Sequence, residues 1–347
     1  MAGRGETIPL ADRVTWLREA HADNPRLTVI GMPCDAPVDV HSAPVWAAQE
    51  TAIRVALRNF STLPVDAVFS NETYGDELAA RFAARHVQFD PDRTAVPISA
   101  TRIRADLAGN WHHLAAPTRA GLAVRVILVG AESTGTTTVS EQLAAHYRDR
   151  WPQTRWVPEF GREYTETKWT TARAEARDRG LPEPELDEIE WNQDDFDLVA
   201  AEQTQREQQA ARTGSPVLVC DTDAFATMIW ERRYLTETAR PARPWATTDL
   251  PRRDIYLLTS HDGVPWHDDG LREGDLAIRA AMTDWFADEL TRAGHSWVLL
   301  TGDLPERVAL AVRVVDYLLT ERARFGAAIN DATALAVNQR FTNGSSS

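Results

Sequence analysis

The segment from Gly130 to Thr137 carries the glycines and hydroxyl side chains of a phosphate-binding loop. Gly130 and Gly135 have the spacing of the G-x-x-x-x-G-K-[ST] motif, in which backbone N–H groups and a helix N-terminus surround a phosphate. Thr136 occupies the place of the lysine, so the loop lacks the positive charge that contacts the outer phosphates. These features predict a nucleotide site with an unusual arrangement or reduced catalytic power. The predicted phosphate contacts come from Gly130, Ser133, Thr134, Gly135, Thr136, Thr137 and Thr138.

Two carboxylates follow a later apolar run that predicts a buried strand. Asp221 comes directly after the run Val217–Cys220, and Asp223 lies two residues further on. Ligands of open α/β sheets bind at the carboxyl ends of the strands, and Mg²⁺ prefers oxygen ligands. We therefore expect Asp221, Asp223 and the Thr137 hydroxyl to hold Mg²⁺. The alternative is that the two aspartates only end the strand and cap the next helix.

Glu159 and Arg162 follow another predicted strand, Arg155–Val157. A carboxylate at that edge of the sheet could accept a hydroxyl proton or bind a ribose diol. The arginine could supply part of the charge that Thr136 lacks. A solvated turn between a strand and a helix is the alternative interpretation of the same residues.

The segment Gly263–Arg272 combines a turn with a tryptophan, two carboxylates and an arginine. This combination predicts a lid that closes over a phosphoryl group, with Arg272 and Arg279 as clamps. Trp266 could stack on a flat ring. Because the chain has 12 tryptophans, a place in the core is the alternative for Trp266.

Earlier in the chain, the segment Pro97–Arg104 predicts a second anion site. Ser99 and Thr101 can cap a helix whose N-terminus receives phosphate, and Arg104 lies one turn into that helix. A helix cap without an anion is the alternative.

The elements that must position these side chains alternate between helix and strand patterns. Apolar residues at helical spacing predict helices over 11–20, 45–60 and 74–84, and short apolar runs predict strands over 27–30 and 67–69. Residues 115–121 indicate a linker, because Pro and Gly interrupt the periodicity there. Beyond it, the pattern predicts strands over 124–129, 155–157, 217–220, 255–258 and 297–300, and a last helix over 304–320.

This alternation predicts an α/β fold with parallel sheets covered by helices. The length of 347 residues is enough for two ordinary cores. We expect two domains, over residues 1–118 and 119–322, and a flexible C-terminal tail over 323–347.

The composition excludes several classes of protein. The formal net charge is −14, whereas a general nucleic-acid-binding domain needs a basic face. We therefore expect no nucleic-acid partner, and we expect locally placed arginines to hold anionic substrates. No segment resembles a signal peptide or membrane span, and the two cysteines, Cys34 and Cys220, have no disulfide or metal spacing. These features favour a cytoplasmic protein without a membrane partner.

Four segments in this order resemble the kinase domain of the bifunctional NMN adenylyltransferase/ribosylnicotinamide kinase family, over about residues 123–322. They are Gly130–Gly135, Pro158–Tyr164, Asp221–Asp223 and Pro265–Arg272. The resemblance implies a P-loop kinase fold that uses ATP and Mg²⁺ to phosphorylate nicotinamide riboside to NMN. For such a kinase we expect Glu159 or an aspartate to orient the riboside hydroxyl, and Arg162 with Arg272 to stabilise the transferring phosphoryl group.

The first domain shows a related resemblance. Residues Pro97–Arg104 resemble the I-S-x-T-x-x-R signature of nucleotidyltransferases that adenylylate NMN, and the likeness extends back to Ile8. This implies a Rossmann-like nucleotidyltransferase domain, with NMN as a further candidate ligand. The domain is incomplete, because the G-x-F-x-P-x-H-x-G-H loop of such enzymes is absent from the sequence. We expect no AMP transfer by this chain as written.

Two explanations of the missing loop stay open. Either the domain is a remnant, or the gene product starts upstream of Met1. The second is favoured, because a sheet without its first strand would expose unpaired edges. The DNA-binding domain of some family members is absent too, so a repressor role is not expected, and a homo-oligomer is left open.

Three functions are compatible with these features. The first is a small-molecule kinase, and the second is a non-catalytic nucleotide-binding regulator with two decayed active sites. A mechanical AAA-type ATPase is a third, disfavoured because nothing after the second strand of the kinase part resembles the sensor segments of ring ATPases.

Overall fold

The protein is represented by a computed structural model, which describes residues 7–36, 39, 41–235, 250–265 and 276–325. The chain divides into two compact units, and the boundary falls between Thr118 and Arg119. The second unit ends at Arg322. Of the predicted tail, residues 326–347 lie outside the described part of the chain. Within that part, no helix has the length and apolar character needed to cross a bilayer.

The first unit contains a two-stranded sheet and several helices. The strands β1 (Ala67–Ser70) and β2 (Arg85–Gln88) pair in parallel. The other elements are α1 (Leu10–Ala20), α2 (Ala43–Arg58), α3 (Gly75–Arg81), α4 (Ala100–Ala105) and a 3-10 helix at Trp111–His113. His86 links the strands to α3, because its Nε2 lies 2.9 Å from Ser70 Oγ and its Nδ1 lies 2.7 Å from Asp76 Oδ1.

Two local predictions are wrong in this unit and at its end. Residues 27–30 form no strand, and the Val29 carbonyl accepts a hydrogen bond from Arg18 Nη2 instead of from a neighbouring strand. The apolar run alone does not make a strand when no partner lies beside it.

The predicted linker at 115–121 is largely helical, since α5 spans Ala116–Leu122. Pro117 is tolerated there because the first helical turn does not need its N–H group.

The second unit is built on a five-stranded parallel sheet with the order β4-β5-β3-β6-β7. Its strands are β3 (Val124–Gly130), β4 (Arg155–Val157), β5 (Val217–Asp221), β6 (Ile255–Thr259) and β7 (Trp297–Leu300). Its helices are α6 (Thr136–Arg150), α7 (Phe160–Asp178), α8 (Gln193–Thr213), α9 (Ala224–Tyr234), α10 (Leu276–Arg292) and α11 (Leu304–Arg322), with a 3-10 helix at Leu186–Glu188. The predicted α/β fold with parallel sheets is confirmed.

Helices bury both faces of this sheet, which is why its central strands β3, β5 and β6 are buried at every position and mostly apolar. Ile127 of β3 lies in one core cluster with Phe225 of α9 and Phe286 of α10. Leu128, the next residue, lies in a second cluster with Leu143 of α6. Successive side chains of a strand point to opposite faces, so a strand buried on both sides has no polar alternation.

The connections of the sheet place a crevice at the end of β3. The strand that follows β3 along the chain, β4, lies at one edge of the sheet. The strands that follow β5 and β6 lie toward the opposite edge. Ligands of open parallel sheets bind at the carboxyl ends of the strands where the direction of winding changes. The loop that follows Gly130 lies at that point.

Candidate nucleotide and acceptor site

Both glycines of the phosphate loop are required, for different reasons. A side-chain Cβ at Gly130 would lie 2.2 Å from Thr259 Oγ1 and 2.7 Å from Thr134 Oγ1, which is too close. Gly135 has open space around it, but its φ of 85° lies in the left-handed region that favours glycine. The loop then passes directly into α6 at Thr136.

Two buried arginines hold the loop by its carbonyl groups. Arg279 donates from Nε to the Glu132 carbonyl at 3.0 Å and from Nη2 to the Ser133 carbonyl at 3.1 Å. Arg307 donates from Nη1 to the Thr134 carbonyl at 3.0 Å. In a trans peptide the carbonyl and the next N–H point in opposite directions. The N–H groups of residues 133–135 therefore point away from the arginines.

The residue in the lysine position belongs to a cluster of hydroxyl groups. Thr136 Oγ1 lies 3.1 Å from Thr259 Oγ1 and 3.3 Å from Thr134 Oγ1. Thr134 and Thr259 are themselves in contact at 2.7 Å. The cluster joins the start of α6 to the end of β6, but it brings no positive charge.

A cavity of about 1380 Å³ opens in front of the loop. Its volume exceeds that of an ordinary small-molecule pocket, so it has room for a nucleotide and a second substrate. It brings together most of the predicted site residues, which are Gly130, Ser133, Thr134, Gly135, Thr136, Thr137, Thr138, Glu159, Arg162 and Asp221. The remaining predicted residues lie elsewhere.

Asp221 and Asp223 are separated by the backbone between them. Asp221 is the last residue of β5 and lines the cavity. Thr222 has a φ of 70°, a left-handed conformation that is uncommon for a β-branched residue, and it redirects the chain. Asp223 accepts hydrogen bonds from the Ala226 N–H at 3.0 Å and from Arg253 Nε at 2.7 Å, and it is fully buried. Asp223 is thus a helix cap and an ion-pair partner, which departs from the predicted pairing of both aspartates at one metal.

Of the three predicted metal ligands, Asp221 and Thr137 line the cavity. Among the described residues, no group of three or more acidic, histidine or cysteine side chains could bind a metal alone. Mg²⁺ is commonly held by one or two protein oxygens together with substrate phosphates. The residues present fit such a shared site.

The other predicted contacts have different positions. Arg279 lies behind the loop, where burial lowers the pKa of its guanidinium. Trp266 and Arg272 lie outside the described residues. Ser99 caps α4 by accepting the Arg102 N–H at 3.2 Å, and Thr101 and Arg104 lie on that six-residue helix in the first unit.

Sequence reasoning missed the aromatic wall of the cavity. The Trp191 and Tyr234 rings are stacked with centroids 6.0 Å apart, and Trp230 stacks on Tyr234 at 6.3 Å. Phe196 lies 5.2 Å from Trp191, and all four residues line the cavity. Trp230 and Tyr234 lie one turn apart on α9, a spacing that could have suggested a common face. The wall as a whole is assembled from three separate segments.

An ion pair between Lys168 and Asp195 contacts the Trp191 ring of this wall. Lys168, the only lysine of the chain, places Nζ 2.5 Å from Asp195 Oδ2 and 5.3 Å from the centroid of the Trp191 ring. The Tyr164 hydroxyl donates to Asp195 Oδ1 at 2.6 Å. Burial acts to raise the pKa of Asp195, but the hydrogen bonds from Lys168 and Tyr164 outweigh it and lower that pKa. Burial and the bond to Asp195 raise the pKa of Tyr164 to about 12.

Comparison with known proteins supports the interpretation of the motifs. The model of a family described as an AAA domain matches residues 125–307. The Trifunctional NAD biosynthesis/regulator protein NadR of Salmonella typhimurium is 23% identical over 317 residues, which cover 90% of this chain and 71% of the relative. The protein of the same name from Escherichia coli (strain K12) is 24% identical over 268 residues, or 77% of this chain and 58% of that relative.

Two solved structures share the fold. A NadR protein in complex with NR has a TM-score of 0.57 at 20% identity, and the match covers 90% of this chain and 83% of the other. A NadR protein in complex with NAD and AMP-PNP has a TM-score of 0.54 at 19% identity, with the same coverage. The predicted resemblance to the bifunctional NMN adenylyltransferase/ribosylnicotinamide kinase family is confirmed by these NadR relatives. Because the family model matches more than half of its length, the chain belongs to the AAA domain family.

Proposed function

We propose that the second unit transfers the γ-phosphoryl group of ATP to a hydroxyl of nicotinamide riboside, which gives NMN. One observation carries this proposal. A single cavity is lined by the phosphate loop and by stacked aromatic rings, with Glu159, Arg162 and Asp221 among its lining residues. Such a cavity can hold a triphosphate and a flat-ringed nucleoside together.

The phosphate loop provides the nucleotide end. Its N–H groups and the N-terminus of α6 can donate to phosphate oxygens. Thr137 and Asp221 would hold Mg²⁺, which when bound neutralises charge on the outer phosphates. Because Thr136 carries no charge, we assign the remaining positive charge to Arg162 and Arg233, which both line the cavity.

The aromatic wall provides the acceptor contacts. In the proposed complex a pyridine ring stacks on Trp191 or Tyr234, with its sugar directed toward the transferring phosphoryl group. In the proposed step the riboside hydroxyl oxygen forms a bond to the γ-phosphorus, and the bond between that phosphorus and ADP breaks. The Glu159 carboxylate receives the hydroxyl proton.

The relatives are consistent with this assignment. The curated relatives are named as NAD biosynthesis and regulator proteins. The solved NadR structures contain NR in one case and NAD with an ATP analogue in the other.

The test is ADP formation by the purified protein with and without nicotinamide riboside. Riboside-dependent turnover should fall by at least a hundredfold in Asp221→Asn, because a carboxylate ligand of the metal is lost. Asp284→Asn is the matched control, since Asp284 is exposed on α10 and should leave turnover unchanged. Tight ATP binding without ADP formation at any Mg²⁺ concentration would contradict the proposal.

That contradictory outcome would favour a non-catalytic nucleotide-binding regulator. The hydroxyl cluster around Thr136 favours this second function, because it places no positive charge at the lysine position of the loop. The two functions differ in turnover and not in ATP binding, so the same assay separates them.

A further inference from the structure

One buried amide at the cavity has half of its hydrogen-bonding capacity unused. Phe196, Val199 and Gln203 lie on the face of α8 that lines the cavity. Gln203 is only 1% exposed. Its Oε1 accepts the Phe160 N–H at 2.9 Å. Its Nε2 has no hydrogen-bond partner among the described residues.

The Phe160 contact fixes which way the amide points. A backbone N–H can bond only to the oxygen of the amide, so Nε2 must lie on the other side. Buried donors are nearly always paired in proteins, because an unpaired donor loses its bond to water without a replacement. A donor that lies at a cavity wall and lacks a protein partner therefore points to an acceptor atom on a ligand.

The positions of Phe196 and Gln203 along α8 indicate which part of the ligand carries that acceptor atom. Phe196 precedes Gln203 by seven residues, which corresponds to about 10 Å along the helix axis. Phe196 contacts the aromatic wall through Trp191. Gln203 instead contacts Phe160, the residue directly after Glu159. A nucleoside whose ring stacks on the aromatic wall would thus bring its sugar, and not its ring, toward Gln203.

We propose that Gln203 is a specificity-determining residue that donates through Nε2 to a ribose hydroxyl oxygen of the phosphoryl acceptor. This inference rests on the proposed function for the position of the acceptor. Glu159 and Gln203 would then bind the sugar in complementary ways, since the carboxylate accepts from hydroxyl groups and the amide donates to one. The site would distinguish ribosides from deoxyribosides.

The sharpest variant is Gln203→Glu, which keeps an oxygen for the Phe160 N–H, removes the donor and adds a negative charge. The charge acts on the riboside and on its deoxy analogues alike, so the difference between them reports the lost donor. We expect the KM for nicotinamide riboside to rise about tenfold, in line with the loss of one hydrogen bond to a buried partner. The KM for either the 2′-deoxy or the 3′-deoxy riboside should be almost unchanged, because that analogue already lacks the partner oxygen. Gln205→Glu makes the same chemical change on the exposed face of α8 and should change none of these constants.

Three outcomes would overturn the inference. The first is an equal KM for the riboside in Gln203→Glu and in the unaltered protein. The second is an equal loss for the riboside and for both deoxy analogues, which would indicate a structural role. The third is a changed preference between nicotinamide and nicotinic acid ribosides with no change toward the deoxy analogues, which would place the contact at the ring. If the variant does not fold, an unaltered protein that does not distinguish ribosides from deoxyribosides overturns the inference by itself.

Calorimetric titration with nicotinamide riboside separates this inference from the proposed function. Riboside binding without ADP formation would contradict the kinase proposal. The ratio of the dissociation constants of Gln203→Glu and the unaltered protein would still test the hydrogen bond. Absence of riboside binding by the unaltered protein would overturn both.

Discussion

The Thr136 hydroxyl lies 3.1 Å from the Thr259 hydroxyl, so the residue in the lysine position of the phosphate loop is bonded to the end of the neighbouring strand β6. The side chain also lines the cavity. The site has therefore replaced a charge by a polar link between two secondary-structure elements.

Thr136→Lys should raise the rate of phosphoryl transfer by at least tenfold. The side chain can extend into the cavity, and Thr259 keeps its shorter contact of 2.7 Å with Thr134. An ion pair near 4 Å contributes about 4 kcal/mol at an effective dielectric of 20. Solvent in the cavity reduces this interaction energy, so only a part of it lowers the barrier. The measurement is kcat at saturating ATP. Thr136→Met, which has length without charge, is the control, and an equal rate in both variants would mean that an arginine already fills the role.

Arg307→Met should weaken ATP binding and lower stability. Arg307 is 2% exposed, and its guanidinium donates to the Thr134 and Gly302 carbonyls. Leaving a buried carbonyl without its donor costs about 1–3 kcal/mol, and the loop would lose one of its two anchors. We expect a higher KM for ATP and a lower midpoint in urea unfolding. Arg313→Met, on the exposed side of the same helix, should change neither, and equal effects in the two variants would refute the anchoring role.

Lys168→Arg should raise the KM for the acceptor several-fold and leave kcat within about twofold. The ammonium is a compact point charge between Asp195 and the Trp191 ring, whereas guanidinium is larger and planar. The variant keeps the charge but should displace Trp191, so the acceptor constant changes more than the chemical step. Arg177→Lys, at an exposed site on α7, is the reciprocal control. A loss confined to kcat would argue against a role in positioning the ring.

Stability should fall as the pH is lowered below about 6.5, the ordinary pKa of histidine, in part because of His295. Burial against Phe225 and Tyr256 lowers the pKa of His295. The unfolded chain then binds a proton at a higher pH than the folded protein, so acidification favours unfolding. His295→Gln should reduce the difference between the unfolding free energies at pH 7 and pH 5. His146→Gln, at an exposed position on α6, should keep that difference, and an unchanged difference in His295→Gln would contradict the assignment.

Much of the second unit follows from local patterns in the sequence. The strands β3, β5 and β6 are mostly apolar segments of five to seven residues without polar alternation, and such segments are typical of a parallel sheet covered on both faces. In the first unit, by contrast, the sequence pattern did not predict strand β2, because Arg85 and Gln88 at its ends are exposed and polar. The phosphate loop was predicted correctly because its backbone conformation requires glycine at Gly130 and Gly135, which lie within six consecutive residues.

The tertiary structure decided which side chains share the site. Asp221 and Asp223 are equivalent in a sequence pattern, but the left-handed backbone at Thr222 and the distant Arg253 take Asp223 away from the cavity. The aromatic wall and the unpaired amide of Gln203 depend on contacts between segments far apart in the chain. The sequence by itself determined the sheet and the phosphate loop, because burial and backbone geometry repeat locally. It could not determine which polar atoms find partners, because that depends on how helices pack around the sheet.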